Sequence, residues 1–375
     1  MEQQALRQAA RAAYQQGQFV PAVQQQLALI NAQMPEERNA VDFLMAALYL
    51  FHIPDATAAA GLLRHALSFF PEDARLHENL GVCLSRSGQY REALASFADA
   101  MRWGDETANV LDGMTYCYGQ LGDTVQLRQC GEKVLQMKDL AVPVLAPVSR
   151  PAPPAFRPEG GNLICFSLFG DNPRYLDGAT ENVEAARWLY PGWRCRFYCD
   201  ESVPLAVREA LQAAGGELVL KPLHRNHIEG LYWRFEVMGE PGVERFLVRD
   251  VDSVVSIRER LVVNEWLASD RHFHVMRDWF SHTDLILAGM WGGVGGLLPS
   301  LATLQAAFKP ERVANRNQDQ EFLGQMVWPR IRDSVLVHDR WFSNFAARPF
   351  PPGSELGGNR HVGQNAAVLR NAAKG

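Results

Sequence analysis

The chain has 375 residues, of which 47% are hydrophobic and 21% are charged, values that are typical of a globular protein. Because one hydrophobic core rarely serves so long a chain, the length predicts two domains. A formal net charge of -5 argues against a nucleic-acid-binding protein or one that binds an anionic membrane.

Three features of the sequence indicate the cellular compartment: the N-terminus, the length of the apolar runs and the spacing of the cysteines. The first residues lack the basic-then-apolar order of a secretory signal, and no apolar run reaches the roughly 18 residues that a membrane span requires. The cysteines are scattered without metal-ligand spacing, which predicts reduced core thiols. We therefore expect a cytoplasmic protein with no transmembrane segment.

Residues 1–140 show helical spacing and repeat with a period of 34 residues. Ala59, Ala93 and Leu127 occupy one repeat position, and Gly81 with Leu84 is expected at the tight crossing of the first helix of a repeat. The fragment Gly17–Phe19 matches Gly88–Tyr90 and predicts an earlier repeat with a three-residue insertion. The pattern predicts a stack of helical pairs.

This pattern resembles the tetratricopeptide repeat, and the resemblance covers roughly residues 3–138. It implies a short superhelix that binds a peptide or another protein, or that forms a homodimer. The alternative is a plain helical cap that only shields the rest of the chain.

Residues 141–161 are rich in proline, which fixes φ and removes hydrogen-bond donors. This composition predicts an extended, semi-rigid linker between two domains.

Strand-like and helix-like segments alternate over residues 162–375, which predicts an α/β domain with a mainly parallel mixed sheet. Strands are expected at Asn162–Gly170, Arg194–Cys199 and Glu217–Lys221. A further apolar strand leads into Asp250 and Asp252, and because successive side chains of a strand point to opposite faces, we expect these two to share one face. Paired carboxylates at the carboxyl end of a strand suit a hard divalent cation that grips a diphosphate.

These elements and several short motifs together resemble a little-characterised bacterial group of nucleotide-diphosphosugar glycosyltransferases with the GT-A fold, which is Rossmann-like. The segments that carry the resemblance are Phe166–Pro173, Tyr190–Trp193, Trp233–Phe235, Val248–Ser253, His274–Asp278, Gly289–Gly292 and Val337–Asp339. The resemblance implies transfer of a sugar from a nucleotide donor with the help of a divalent metal. The particular sugar is left open.

The resemblance assigns the metal, Mn²⁺ or Mg²⁺, to Asp250 and Asp252. A later histidine often completes the metal shell in such enzymes, and two candidates follow. His338 comes directly after an apolar strand, and His361 lies close to a glycine near the end of the sequence. A surface histidine is the alternative for both.

Donor-binding candidates surround the end of the first strand and the acidic pair. Arg234 is spaced to aim a guanidinium at phosphates, although a salt bridge would explain it equally well. The predicted donor-binding residues are Phe166, Ser167, Phe169, Gly170, Tyr198, Arg234 and Asp250.

The acceptor side is expected around an apolar strand that enters a glycine-rich turn, because glycine lets another group approach the backbone closely. The predicted residues there are Asp278, His282, Gly289, Met290 and Trp291.

Asp319 and Gln320 open a predicted helix and are the catalytic candidates. They resemble the Asp-Gln element that retaining galactosyl- and glucosyl-transferases place under the anomeric carbon. If Asp319 is instead a general base on the acceptor hydroxyl, the enzyme inverts.

The sequence therefore favours a metal-dependent enzyme that moves a hexose from a UDP- or GDP-sugar to a protein or peptide recruited by the repeats. A polysaccharide or lipid-linked glycan acceptor stays open. The alternative is a catalytically inactive repeat scaffold with a degenerate GT-A domain. A nucleotidyltransferase is disfavoured, since no phosphate-binding loop with Lys or Arg follows the first strand.

Overall fold

The computed structural model describes residues 2–53, 56–148, 151–223, 227–310, 317–357 and 360–366. The chain divides into two compact units, Met1–Met137 and Lys138–Gly375, each with a hydrophobic core of its own. No helix in the described ranges is both long enough and apolar enough to cross a membrane. All six cysteines are buried and form no disulfide.

The first unit is helical, and its last helix continues into the second unit. The helices are α1 (Glu2–Gln15), α2 (Phe19–Ala32), α3 (Ala40–Phe51), α4 (Ala56–Leu67), α5 (Ala74–Arg86), α6 (Tyr90–Trp103), α7 (Ala108–Leu121) and α8 (Thr124–Ala141).

The helices of the first unit recur at a fixed spacing. Helices α3, α5 and α7 begin 34 residues apart, and so do α4, α6 and α8. Helix α2 begins 37 residues before α4, and a 3₁₀ turn at Pro35–Glu37 lies in the longer connection between α2 and α3. The prediction of a helical repeat is confirmed, and the longer first spacing agrees with the expected insertion.

Close helix packing in the first unit depends on glycines around one aromatic ring. Phe97 of α6 is fully buried, and its ring packs against Gly81 of α5 and Gly113 of α7. A Cβ added at Gly81 would stand 2.7 Å from the ring. Side chains larger than hydrogen are therefore excluded at this crossing.

The first three helices are joined by a buried carboxylate. Asp42 of α3 accepts hydrogen bonds from Arg7 Nη2 of α1 at 2.8 Å, Gln33 Nε2 at 2.7 Å and Asn39 Nδ2 at 2.8 Å. Gln26 of α2 adds a bond to its backbone carbonyl at 3.0 Å. Because a buried charge is costly unless it is fully hydrogen-bonded, these donors make the position specific for a carboxylate.

The second unit contains one seven-stranded mixed sheet. Its strands are β1 (Asn162–Leu168), β2 (Arg194–Cys199), β3 (Glu217–Leu220), β4 (Arg245–Arg249), β5 (Phe273–Arg277), β6 (Met290–Val294) and β7 (Val335–Asp339). Their order is β3-β2-β1-β4-β6-β5-β7, and β6 runs antiparallel to β4 and β5 while the other pairs are parallel. The prediction of a mainly parallel mixed sheet is confirmed.

Helices connect these strands. One helix is extended by a 3₁₀ helix at Trp233–Gly239, and another by a π-helical turn at Leu323–Val327. The α-helices are α9 (Pro173–Leu189), α10 (Leu205–Ala213), α11 (His227–Tyr232), α12 (Ile257–Leu267), α13 (Leu301–Ala307), α14 (Gln318–Phe322) and α15 (Trp328–Ile331).

Two local expectations are wrong. Strand β4 ends at Arg249, and Asp250–Ser253 form a turn in which Ser253 N donates to Asp250 O at 3.1 Å. The acidic pair therefore does not alternate along a strand. The apolar segment before Gly289 is irregular, and the strand begins at Met290, so Gly292 lies within β6 rather than in a turn.

The proline-rich segment is described at 142–148 and 151–161, where it has no helix or strand. It belongs to the second unit and is bound to the rest of it, because Arg245 Nη2 donates to Pro154 O at 2.6 Å and Val148 N donates to Arg330 O at 2.9 Å.

Substitution Gly81→Ala is expected to lower the free energy of unfolding by about 1–3 kcal/mol, because the new methyl group overpacks the Phe97 ring. The matched control is Gly61→Ala on α4, where an added Cβ meets nothing within 4 Å. That change should be neutral or raise stability by up to about 1 kcal/mol through helix propensity. Urea denaturation followed by circular dichroism measures both, and equal effects would show that the crossing is not tightly packed.

Candidate active site

A cleft of about 420 Å³ opens at the carboxyl ends of β1 and β4. From β1 the chain builds outward through β2 and β3, and from β4 it continues on the other side of the sheet. In open α/β sheets such a reversal creates the crevice in which ligands bind. The predicted site residues that line the cleft are Ser167, Phe169, Arg234, Asp250, Asp252, His282, Gly289, Met290, Asp319 and Gln320.

The guanidinium of Arg234 bridges two carboxylates in the cleft. Its Nη1 donates to Asp250 Oδ1, and its Nη2 donates to Asp319 Oδ2 at 3.0 Å. The backbone N–H of Arg234 donates to Ser167 Oγ at 3.1 Å, which ties the 3₁₀ helix to the end of β1. Arg234 and Asp319 are each 5% exposed, so this arrangement is largely withdrawn from water.

Burial and the neighbouring opposite charges shift the pKa values of the bridged groups in opposite directions. Burial alone would lower the pKa of Arg234, but the Asp250 and Asp319 carboxylates outweigh it and raise the pKa, so the guanidinium stays charged. Burial raises the pKa of Asp319 even though Arg234 opposes the rise. Asp319 is therefore more readily protonated than an exposed aspartate.

Asp252 is held by a second arginine. Arg174 Nε, in the first turn of α9, donates to Asp252 Oδ2 at 2.7 Å, and Nη2 reaches the same oxygen. Both carboxylates of the acidic turn are thus paired with guanidinium groups that also line the cleft.

Glycine gives one wall of the cleft its shape. A Cβ on Gly289 would overlap the Asp250 carboxylate, and one on Gly363 would stand 2.7 Å from Met290 Sδ. Gly363 also has φ +86°, which favours glycine. A larger residue at either position would displace the acidic turn or narrow the cleft.

His282 lines the cleft and is partly exposed. The backbone N–H groups of Asp278 and Trp279 donate to its Nδ1 at 3.2 Å and 3.1 Å. Burial, together with the nearby His361 and Arg277, lowers its pKa to about 3. The ring is therefore neutral at physiological pH.

His361 lies beside His282, with 5.1 Å between the ring centroids, and stacks on Trp279 at 4.8 Å. Its Nδ1 lies 2.8 Å from Val362 O, and because a carbonyl only accepts, the proton is on Nδ1. His361 itself is not among the residues that line the cleft, so the structure does not place it as a ligand of a cation held by Asp250 and Asp252.

The structure does not bring His338 to the cleft. Its side chain is completely buried, with Nδ1 2.9 Å from His274 Nε2 and Nε2 3.1 Å from Glu265 Oε2. Burial lowers its pKa, although the Glu265 hydrogen bond opposes this. Strand β7 is three strands from β4, or about 14 Å at roughly 4.8 Å per strand, which is too far for a shared metal ion.

Two predicted acceptor-side residues are core residues. Asp278 is fully buried, where Arg258 donates to both of its oxygens at 2.8 Å and 2.7 Å and Val362 N donates to Oδ2 at 2.8 Å. Trp291 is also fully buried and packs against Phe246 at 5.2 Å. Asp278 therefore positions the segment that carries Gly363 and does not line the cleft.

Three predicted donor-binding residues also lie away from the cleft. Phe166 is fully buried and stacks on Phe197 at 5.0 Å, and Tyr198 is fully buried beside Arg196. Gly170 has φ +78° and its N–H donates to Ser202 Oγ at 2.7 Å. Packing and turn formation explain these positions.

Sequence reasoning missed several residues that line the cleft, namely Arg174, Tyr175, Leu231, Asn317, Gly363 and Asn365. Arg174 had a usable signal, because Asn172 and Pro173 mark the first turn of a helix directly after β1. Asn365 had no such signal in the sequence. Its segment reaches the cleft only through the tertiary fold, where the neighbouring Ala366 N donates to Asp252 O at 2.8 Å.

Within the described residues, no group of three or more His, Cys, Asp or Glu side chains is arranged to hold a metal ion. Asp250 and Asp252 nevertheless present hard carboxylate oxygens to the cleft, which is the ligand type that Mn²⁺ and Mg²⁺ prefer.

No protein-family model and no curated protein sequence matches this chain. Among solved structures, a mutant O-GlcNAc transferase of Thermobaculum terrenum is 18% identical over 66% of this chain, with a TM-score of 0.42. The match spans 46% of that protein, so this chain covers less than half of its length.

Two other solved structures match about a third of this chain. YrrB, described as a TPR protein with an unusual peptide-binding site, is 18% identical over 36% of this chain and 68% of its own, with a TM-score of 0.33. MamA of Desulfovibrio magneticus RS-1 is 16% identical over 37% of this chain and 77% of its own, with a TM-score of 0.34. Similarities at this level concern the fold alone and carry no functional argument.

Substitution Arg234→Met is expected to lower the free energy of unfolding by about 3–5 kcal/mol near pH 8, because it leaves Asp319 buried without its cation. The folded-state pKa of Asp319 is already raised, so protonation favours the folded state and the loss should shrink as pH falls. Adding Asp319→Asn should restore part of the stability. Urea denaturation at pH 8 and pH 5 measures this, and an equal loss at both would exclude an electrostatic cause.

Proposed function

We propose that the second unit is a GT-A-type glycosyltransferase that uses Mn²⁺ or Mg²⁺ to transfer a hexose from a UDP- or GDP-sugar. The observation that carries the proposal is the Arg234 bridge between Asp250 and Asp319, located in a cleft where the strand order reverses. The single antiparallel strand β6, inserted between β4 and β5 of an otherwise parallel sheet, agrees with this assignment.

The nucleoside end of the donor would lie against Ser167 and Phe169, at the end of β1. Arg174 and Arg234 would then face the diphosphate, and their planar guanidinium groups suit phosphate oxygens. Arg174 is the more accessible of the two, with 42% of its side chain exposed.

Asp250 and Asp252 are the groups proposed to hold the cation, with its remaining positions left to diphosphate oxygens and water. Bound there, it would act as a Lewis acid that neutralises the departing diphosphate. Arg174 is paired with Asp252 in this structure and, being partly exposed, would be free to turn toward the phosphates, whereas Arg234 would keep its buried pairing with Asp319.

Asp319 and Gln320 would face the transferred sugar. Asp319 Oδ1 accepts from Gln320 N at 2.9 Å and Oδ2 accepts from Arg234, so the carboxylate is held in one orientation. If Asp319 binds sugar hydroxyls the anomeric configuration is retained, and if it removes the proton of the acceptor hydroxyl the configuration inverts.

The helical unit is proposed to recruit the acceptor, a protein or peptide, or to form a homodimer. Val41 and Leu48 of α3 are 50% and 40% exposed. They lie seven residues apart and therefore on the same face of the helix. Exposed apolar side chains on one helix face suit a protein partner.

A scaffold without catalysis is the second candidate. It is favoured by the pairing of both acidic-turn carboxylates with arginines, which leaves neither carboxylate free in this structure. Metal-dependent turnover distinguishes the two candidates.

In an enzyme, Asp252→Asn should reduce nucleotide-sugar turnover by about a hundredfold, since it removes a charged oxygen from the proposed metal site. The fold should survive, because this carboxylate lies in a turn at the cleft. A matched control is Asp270→Asn, whose side chain is 79% exposed. Donor hydrolysis across a panel of UDP- and GDP-hexoses with Mn²⁺, with and without EDTA, measures the effect. Turnover that survives both EDTA and Asp252→Asn would contradict the metal site, and no turnover with any donor would favour the scaffold.

The double substitution Val41→Asp and Leu48→Asp should weaken transfer to a protein acceptor about tenfold or more while leaving donor hydrolysis unchanged. Val20→Asp on α2, where the side chain is 54% exposed, is the control. Transfer of labelled sugar to proteins of a cell extract is measured beside hydrolysis in the same samples. If both activities fall together, the helical unit is structural.

A further inference from the structure

The segment between β5 and β6 fixes the tautomer of His282. Two backbone N–H groups, from Asp278 and Trp279, donate to Nδ1 at 3.2 Å and 3.1 Å. A nitrogen that accepts hydrogen bonds carries no proton in a neutral imidazole, so the proton is on Nε2. Nε2 has no hydrogen-bond partner among the described residues, and the ring lines the cleft.

The ring is also fixed in orientation. Turning it over would place a carbon against two backbone donors and leave both unsatisfied in a partly buried position. Asp278 is itself anchored by both nitrogens of the Arg258 fork and by Val362 N, so the backbone that supplies these donors is part of a buried network. The His361 ring packs edge-on against the His282 ring, with 5.1 Å between the ring centroids.

We propose that His282 is a positioning residue whose Nε2–H donates a hydrogen bond to an oxygen of the donor's sugar. This inference rests on the proposed function. The Nδ1 lone pair is used by the backbone, so His282 supplies a proton donor to the cleft and does not serve as a general base.

The sugar is favoured over the diphosphate because of the charges in the cleft. Arg174 and Arg234 supply two cationic groups for phosphate oxygens, whereas the His282 ring supplies one uncharged N–H. Gly289 and Gly363 also line the cleft, where an added Cβ would press on Asp250 or on Met290.

His282→Asn separates the two roles of the ring. The Oδ1 atom of asparagine can accept from Asp278 N and Trp279 N as Nδ1 does, but its side chain is too short to replace the Nε2–H. His282→Gln is the matched variant, since its Nε2 can reach the cleft as a donor while the backbone acceptor is lost. Thermal unfolding reports the backbone role, and calorimetric titration reports binding.

The unaltered protein and both variants are titrated with the UDP- or GDP-hexose that raises the Tm most and with the matching nucleoside diphosphate. We expect His282→Asn to keep its Tm within about 2 °C, to bind the nucleoside diphosphate unchanged, and to bind the nucleotide sugar about tenfold more weakly. The Tm of His282→Gln should fall further than that of His282→Asn, but its preference for the nucleotide sugar over the nucleoside diphosphate should stay within about threefold of that of the unaltered protein.

If His282→Asn loses affinity equally for the nucleotide sugar and for the nucleoside diphosphate, the contact belongs to the diphosphate. If it loses affinity for neither, His282 has a purely structural role. Either result overturns this inference alone. If the unaltered protein binds no nucleotide sugar, the proposed function fails and this inference fails with it.

Discussion

The guanidinium of Arg234, located between Asp250 and Asp319, is the interaction on which the rest of the cleft depends. Asp250, Asp252 and Asp319 all line one small space, where they would repel one another without nearby cations. The bridge joins the 3₁₀ helix after α11 to the end of β4 and to the short helix α14. Three segments that are distant in sequence are thereby held at one edge of the sheet.

Sheet topology explains why these segments meet. Strands β1 and β4 are neighbours, and β6 enters the same edge from the opposite direction, so its first residues lie beside the last residues of β4. The end of one strand and the beginning of another therefore contribute to the same wall. This is why Gly289 packs on the Asp250 carboxylate.

The sequence predicted the elements well where local patterns are strong, as in the 34-residue helical spacing and in strand β2. It also singled out Phe169 after β1 and the acidic pair after β4, which line the cleft, because the carboxyl end of a parallel strand is a common place for ligands. It did not predict burial. His338 follows an apolar strand just as Asp250 does, but its surroundings are set by Glu265 and His274 from distant elements. Strand order, which no local pattern encodes, decides which strand end reaches the cleft.

The segment that carries Gly363 has a consequence for biosynthesis. Val362 N is bound to the Asp278 carboxylate and Ala366 N to the Asp252 carbonyl, each at 2.8 Å. Every strand of the sheet precedes this segment in the chain, and a domain generally folds as a unit. This wall would therefore dock only once the acidic turn and the end of β5 are in place, and substrate capture by a newly made polypeptide would begin no earlier.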